Sequence, residues 1–63
     1  MNDEPTPGTI WRHASGRVYT VLFLTNELDI EKYPRTVVYI GSNGKLWSGV
    51  LSDWHRRMTR IDP

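Results

Sequence analysis

Residues that favour β-strands recur at strand-like spacing along most of this chain, and no other feature limits its fold as strongly. Residues 18–24 (Val-Tyr-Thr-Val-Leu-Phe-Leu) and 36–40 (Thr-Val-Val-Tyr-Ile) are almost entirely β-branched, aromatic or aliphatic. Turn-forming residues bound both runs, and Asn43-Gly44 is among the best short signals for a β-hairpin. The pattern predicts an all-β fold.

Turn signals divide the chain into about five short strands and one helical turn. Ser52 has the chemistry of a helix N-cap and Asp53 suits a first helical turn, which predicts that turn over residues 52–55. The predicted fold class is a small SH3-like barrel or a curved antiparallel sheet, with the helical turn before the last strand. The predicted strands are 9–13, 18–24, 36–40, 45–50 or 51, and 58–61.

The chain of 63 residues is short enough to form one domain with one core and no deep active site. Two prolines in residues 1–7 predict a flexible N-terminal tail, which leaves residues 8–63 as the domain. The chain has no cysteine, which excludes disulfides and thiolate metal sites and favours a cytoplasmic location. The acidic start lacks the basic and apolar segments of a signal peptide, and no apolar run approaches the ~20 residues that span a bilayer.

Few large residues are present, so most of them are expected in the core. Strand alternation places Tyr19, Val21 and Phe23 on one face of the second strand. Trp54 and Met58 are four residues apart across the helical turn and are expected to close one end of the domain. The pattern does not decide whether Trp11, Tyr33 and Tyr39 are buried, because Trp and Tyr often keep a polar tip in water. The predicted core comprises Val21, Phe23, Val38, Trp47 and Leu51.

The order of several motifs resembles a family of short bacterial proteins of unknown function that often lie in prophage regions. The family pattern is aromatic-Arg-His, then Gly, Tyr and Val, a Val-Tyr strand, a Trp strand and a final aromatic residue. Gly49-Val50 replaces the family's Arg-Pro, and Gly8 lies one residue further from the aromatic than usual. The resemblance implies an SH3-like or related β fold and no assigned activity. The matching residues are Trp11-Arg12-His13, Gly16, Tyr19, Val21, Val38-Tyr39, Trp47, Leu51 and Trp54.

No spacing in the chain is typical of a catalytic or metal site, so we expect no enzymatic activity and no cofactor. Ser52, Asp53 and His55 lie within four positions, whereas a catalytic triad converges from separate elements. The glycines of residues 41–44 precede no helix and so do not form a phosphate loop. His13 is expected to cap a turn through a ring nitrogen.

Two classes of binding function remain open. The first is a protein-interaction module, in which Leu28, Ile30 and Tyr33 on the long acidic loop 26–35 contact another protein whose identity the sequence does not give. The second is a weak nucleic-acid-binding barrel with an aromatic beside a basic groove. The net charge of +1 and the acidic loop favour the first. The candidate residues for the second are Trp11, Arg12, Arg17, Lys45, Arg56, Arg57 and Arg60.

Overall fold

Five antiparallel strands form one open sheet in the computed structural model, which describes residues 4–62. The order across the sheet is β4-β3-β2-β1-β5, so β4 and β5 are the edges. The prediction of about five strands with a helix before the last one is confirmed. The elements are β1 (Ile10–His13), β2 (Val18–Thr25), β3 (Thr36–Gly41), β4 (Leu46–Val50), α1 (Leu51–Arg57) and β5 (Met58–Arg60).

Two tight turns at one end of the sheet set the register of its hairpins. The His13 amide donates to the Arg17 carbonyl at 2.7 Å, and Gly16 between them has a φ of 94°. The Gly41 amide donates to the Lys45 carbonyl at 3.0 Å, with Gly44 at a φ of 80°. Glycine adopts these positive φ values without the strain that a Cβ would bring, which explains both positions.

A β-bulge at Leu22 changes which residues of β2 face the core. Val21 pairs with Tyr39 and Phe23 pairs with Val38, so the register shifts by one residue between them. A one-residue shift moves the following side chains to the other face of the sheet. The prediction that Val21 and Phe23 share a face is therefore wrong: Val21 is buried and Phe23 is 51% exposed.

The core lies between α1 and one face of the sheet, which we call the covered face. Of the predicted core, Val21 is buried, Val38 and Leu51 are half-buried, and Trp47 is 45% exposed. Trp47 was expected inside because of its size, yet it lies on the edge strand β4, where no further strand shields it. Burial of Trp54 and Met58 is as predicted. The buried apolar residues are Trp11, Val21, Val37, Trp54 and Met58.

Residues 5–9 pack against the domain, whereas the sequence predicted a flexible tail over residues 1–7. Pro5 is fully buried, and the Gly8 amide donates to the Val21 carbonyl at 2.9 Å. The Thr9 amide donates to the Thr6 carbonyl at 3.1 Å and closes a turn. Burial of Pro5 and these bonds hold the segment, whereas residues 1–3 lie outside the described part of the chain.

The helix begins one residue earlier than predicted and without a side-chain cap. Val50 occupies the N-cap position, so Ser52 lies in the first turn and is exposed. The Leu51 amide donates to the Arg35 carbonyl at 2.9 Å, which continues the pairing of β4 with β3 up to the start of α1. Within residues 4–62 no helix is long and apolar enough to cross a membrane.

Candidate functional site

Loop 26–35 is held in one shape by its own polar groups. Asn26 and Asp29 both have positive φ values, 65° and 51°, which asparagine and aspartate tolerate better than most residues. The Asn26 Nδ2 donates to the Pro34 carbonyl at 2.9 Å, and the Arg35 amide donates to Asp29 Oδ1 at 2.9 Å. The loop is therefore ordered by bonds that span its base.

The three residues predicted for protein binding come together on this loop, and we call them the loop patch: Leu28, Ile30 and Tyr33. A turn brings two of them close, because the Tyr33 amide donates to the Ile30 carbonyl at 2.9 Å. With Asn26 and Glu27 they line a shallow depression of about 380 Å³. Leu28 is 85% exposed, so the patch presents apolar surface to solvent rather than to the core.

Charged side chains of both signs surround the loop patch. Glu27 and Glu31 are exposed, and they precede or follow its apolar residues directly in sequence. The Lys32 ammonium lies 5.7 Å from the centre of the Tyr33 ring, within the range of a cation–π contact. An apolar centre with a charged border is typical of a protein contact surface.

Trp11, the aromatic residue among the nucleic-acid candidates, is buried in the structure. Trp11 is 1% exposed, and its Nε1–H donates to Thr9 Oγ1 at 2.8 Å inside the domain. Its ring also packs edge-to-face on Trp54, with centroids 5.5 Å apart. A base cannot stack on a ring that is buried on this scale, so the prediction that Trp11 contacts nucleic acid is wrong.

The basic candidates do not form one groove. Arg60 is occupied by Asp62, with Nε–Oδ1 at 2.8 Å and Nη2–Oδ2 at 3.2 Å, and this bond lowers the pKa of the Asp62 carboxyl. Arg56 lies 3.7 Å from Asp53 on the exposed side of α1. Arg12 is exposed on β1, whereas Arg17 and Lys45 belong to two different hairpins at one end of the sheet.

A second depression, of about 270 Å³, lies between α1 and the strands β3 and β4. Tyr39, Arg57 and His13 line it together with Trp54. Burial raises the pKa of the Tyr39 phenol, an effect that Tyr19 strengthens and the Arg57 charge opposes. A raised pKa keeps the Tyr39 phenol protonated at neutral pH, so Tyr39 is not activated as a base there.

The histidines have structural contacts. His13 Nδ1 accepts from the Ser15 amide at 3.0 Å and lies 2.9 Å from Ser15 Oγ, which confirms that His13 caps a turn. The His55 ring packs on Trp11, with centroids 5.7 Å apart. Ser52, Asp53 and His55 all lie on α1, and residues 4–62 contain no cluster of three possible metal ligands.

Leu46 and Trp47 on the edge strand β4 form an exposed surface that the sequence pattern did not predict. Both are largely in contact with solvent, at 64% and 45%. The run from 46 to 50 contains no charge and no proline, which is unusual for a strand at a sheet edge. The lack of charges and prolines in this run matters because the strand order places β4 at the edge of the sheet.

In comparisons with known proteins, no family model, curated protein or solved structure matches the chain.

Proposed function

We propose that this chain is a small, SH3-like, non-catalytic protein-interaction module and that the loop patch is its contact surface. The observation that carries the proposal is the convergence of Leu28, Ile30 and Tyr33 around one depression on an ordered, acidic loop. A cytoplasmic location and kinship with short bacterial and prophage proteins belong to the same proposal and rest on the sequence alone.

The energetics of the loop patch support a binding role over a folding role. Burying apolar surface contributes roughly 25 cal/mol per Å², and Leu28, at 85% exposed, gains little of this within the domain. The same surface becomes available when a partner covers it. Because the bonds of Asn26 and Asp29 already fix the loop, little conformational entropy remains to be lost on binding.

The expected partner is a protein with an apolar side chain for the depression and basic groups around it. Glu27 and Glu31 border the patch, and carboxylates attract such groups and repel phosphates. The alternative function, weak nucleic-acid binding, lacks an accessible Trp11 for stacking, and of the basic candidates only Arg56 and Arg57 line the same depression. We therefore favour the protein partner.

Affinity capture from a lysate of the organism that encodes the chain tests the proposal. The bait proteins are the wild type, the double variant Leu28→Ser/Ile30→Ser and the control Phe23→Ser, which removes an exposed apolar side chain from a different surface. We expect a partner that the wild type and Phe23→Ser retain and the double variant loses. An identical set of captured proteins for all three baits would refute the loop patch as the contact surface.

A titration of labelled single- and double-stranded nucleic acids tests the alternative. We expect weak binding at physiological salt that disappears with modest added salt, because only scattered phosphate contacts are available. Sub-micromolar, salt-resistant binding would overturn the preference, and Arg12, Arg56 and Arg57 would then be the first residues to substitute.

A further inference from the structure

The edge strand β4 is unprotected against pairing with another strand. Natural proteins block open edges with charges, prolines or bulges, because the unpaired backbone groups there are a template for a further strand. β4 has the sequence Leu-Trp-Ser-Gly-Val and pairs with β3 without a bulge. None of the usual blocking features is present along residues 46–50.

The direction of the free backbone groups follows from the pairing with β3. Lys45 accepts from Gly41 at 3.0 Å, and Leu51 donates to Arg35 at 2.9 Å, so both residues direct their backbone groups towards β3. Backbone groups of an antiparallel strand alternate in direction from one residue to the next. The amides and carbonyls of Leu46, Ser48 and Val50 therefore point away from the sheet.

We propose that β4 pairs antiparallel with β4 of a second copy, about a two-fold axis at Ser48. This register joins the outward backbone groups of both strands: Ser48 pairs with the partner's Ser48, and Leu46 with the partner's Val50. Two open sheets become one continuous sheet. The interface is isologous, as closed homodimers require.

The side chains of β4 complement each other in this register. Trp47 lies opposite the partner's Gly49, so the largest side chain of the strand meets the position that has none. A Cβ at Gly49 would be in van der Waals contact with Tyr39, 3.9 Å from its Cε1 and Oη, so the Tyr39 ring borders the glycine. Trp47, which is 45% exposed in one copy, would pack over the glycine and beside this ring in the other.

Charges at the ends of the paired strands are compatible with this register. The register places Lys45 opposite position 51 of the partner, where α1 begins. The first turn of α1 carries no basic residue, and its Asp53 lies 3.7 Å from Arg56 of the same helix. In this register the two Lys45 residues are separated by six residues along the paired strands, or about 20 Å at ~3.4 Å per residue. They therefore do not repel each other strongly.

The other edge of the sheet provides a matched control. β5 has only three residues, and its last residue, Arg60, is held by Asp62. Thr59 on β5 and Ser48 on β4 are both exposed edge residues, and the cross-strand pairs place them on the same face of the sheet. The same substitution made at Ser48 and at Thr59 therefore distinguishes an effect on pairing through β4 from a general effect of the new side chain.

Single-cysteine variants test the dimer directly, because the chain has no other cysteine. Hydrogen-bonded antiparallel residues have Cα atoms about 5.5 Å apart, within the range that a disulfide spans. Under mild oxidation, Ser48→Cys is expected to form a disulfide-linked dimer several times faster than Thr59→Cys. Equal rates for both variants would contradict the proposed register.

Sedimentation of the uncrosslinked protein gives the second readout. A pairing of one short strand is a small interface, so the average mass should rise from 7.3 kDa towards twice that value only as concentration increases. Ser48→Lys, which sets two like charges together at the axis, should abolish the rise, and Thr59→Lys should keep it. A wild type that stays monomeric at millimolar concentration, or an unaltered rise in Ser48→Lys, would refute the proposal. Should Ser48→Lys fail to fold, the crosslinking comparison still decides.

Discussion

The covered face of the sheet and the loop patch are built from the same kinds of side chain, but the first is buried and the second is exposed. On the covered face, Trp54 is 4% exposed and its ring packs edge-to-face on Trp11 and Tyr39. On the loop patch, Leu28 and Tyr33 stand in solvent beside carboxylates. Residue type alone therefore does not separate buried from exposed apolar residues in so small a domain.

Backbone context makes the difference between the two regions. The covered face lies on strands whose register is fixed by pairing on both sides and is closed by α1. The loop is fixed by polar bonds at its base, which hold its shape without drawing its apolar side chains inward. Stability should then depend on the first region, and the protein contact that we propose should depend on the second.

Trp54→Ala should have the largest effect on stability. Removing a buried aromatic usually costs about 3–5 kcal/mol, a large part of the stability of a small domain. Trp54→Phe should cost less, because it keeps a ring and removes Nε1, which has no hydrogen-bond partner among the described residues. Urea unfolding followed by circular dichroism measures both variants. Equal losses would show that ring packing is not the main contribution of Trp54.

Thr9→Val should cost about 1–3 kcal/mol at nearly constant side-chain volume, because it removes the acceptor of the buried Trp11 Nε1–H and the bond from Thr9 Oγ1 to the Thr6 carbonyl. The same exchange at Thr59, which is exposed on β5, is the control and should change the free energy of unfolding by less than about 0.5 kcal/mol. If the Thr9 variant is as stable as the control, the bond from Trp11 does not hold the covered face.

Trp47→Ala should cost only about 1 kcal/mol in dilute solution, because the side chain is already half in solvent. Its size alone would predict the 3–5 kcal/mol of a core tryptophan. A thermal melt at low protein concentration distinguishes the two values. A loss as large as that of Trp54→Ala would place Trp47 in the core.

Alkaline pH should weaken the covered face through Tyr39. Burial raises the pKa of Tyr39 above the ordinary 10.0, so its phenol ionises more easily in the unfolded chain than in the folded one. This contribution is complete below pH 10 and is lost as the pH rises from the unfolded pKa towards the folded pKa. Tyr39→Phe should reduce the alkaline loss of stability, measured by urea unfolding as a function of pH. Identical pH profiles for Tyr39→Phe and the wild type would contradict this cause.

The strands and hairpins were predicted well from local signals, because glycine and asparagine at a turn determine the backbone conformation of that turn. The sequence did not predict the faces of Phe23 and Trp47. The bulge at Leu22 depends on pairing with β3, and the exposure of Trp47 depends on the position of β4 at the edge. The grouping of the loop patch was predictable because its residues are close in sequence.

The most direct test of the separation between core and contact surface is the free energy of unfolding of Leu28→Ser/Ile30→Ser, measured by urea denaturation against the wild type. The account predicts a difference of less than about 1 kcal/mol, because surface substitutions cost little when no buried contact is lost. A loss of about 3 kcal/mol or more, as expected for a core residue, would show that the loop patch belongs to the folding core and would contradict the account.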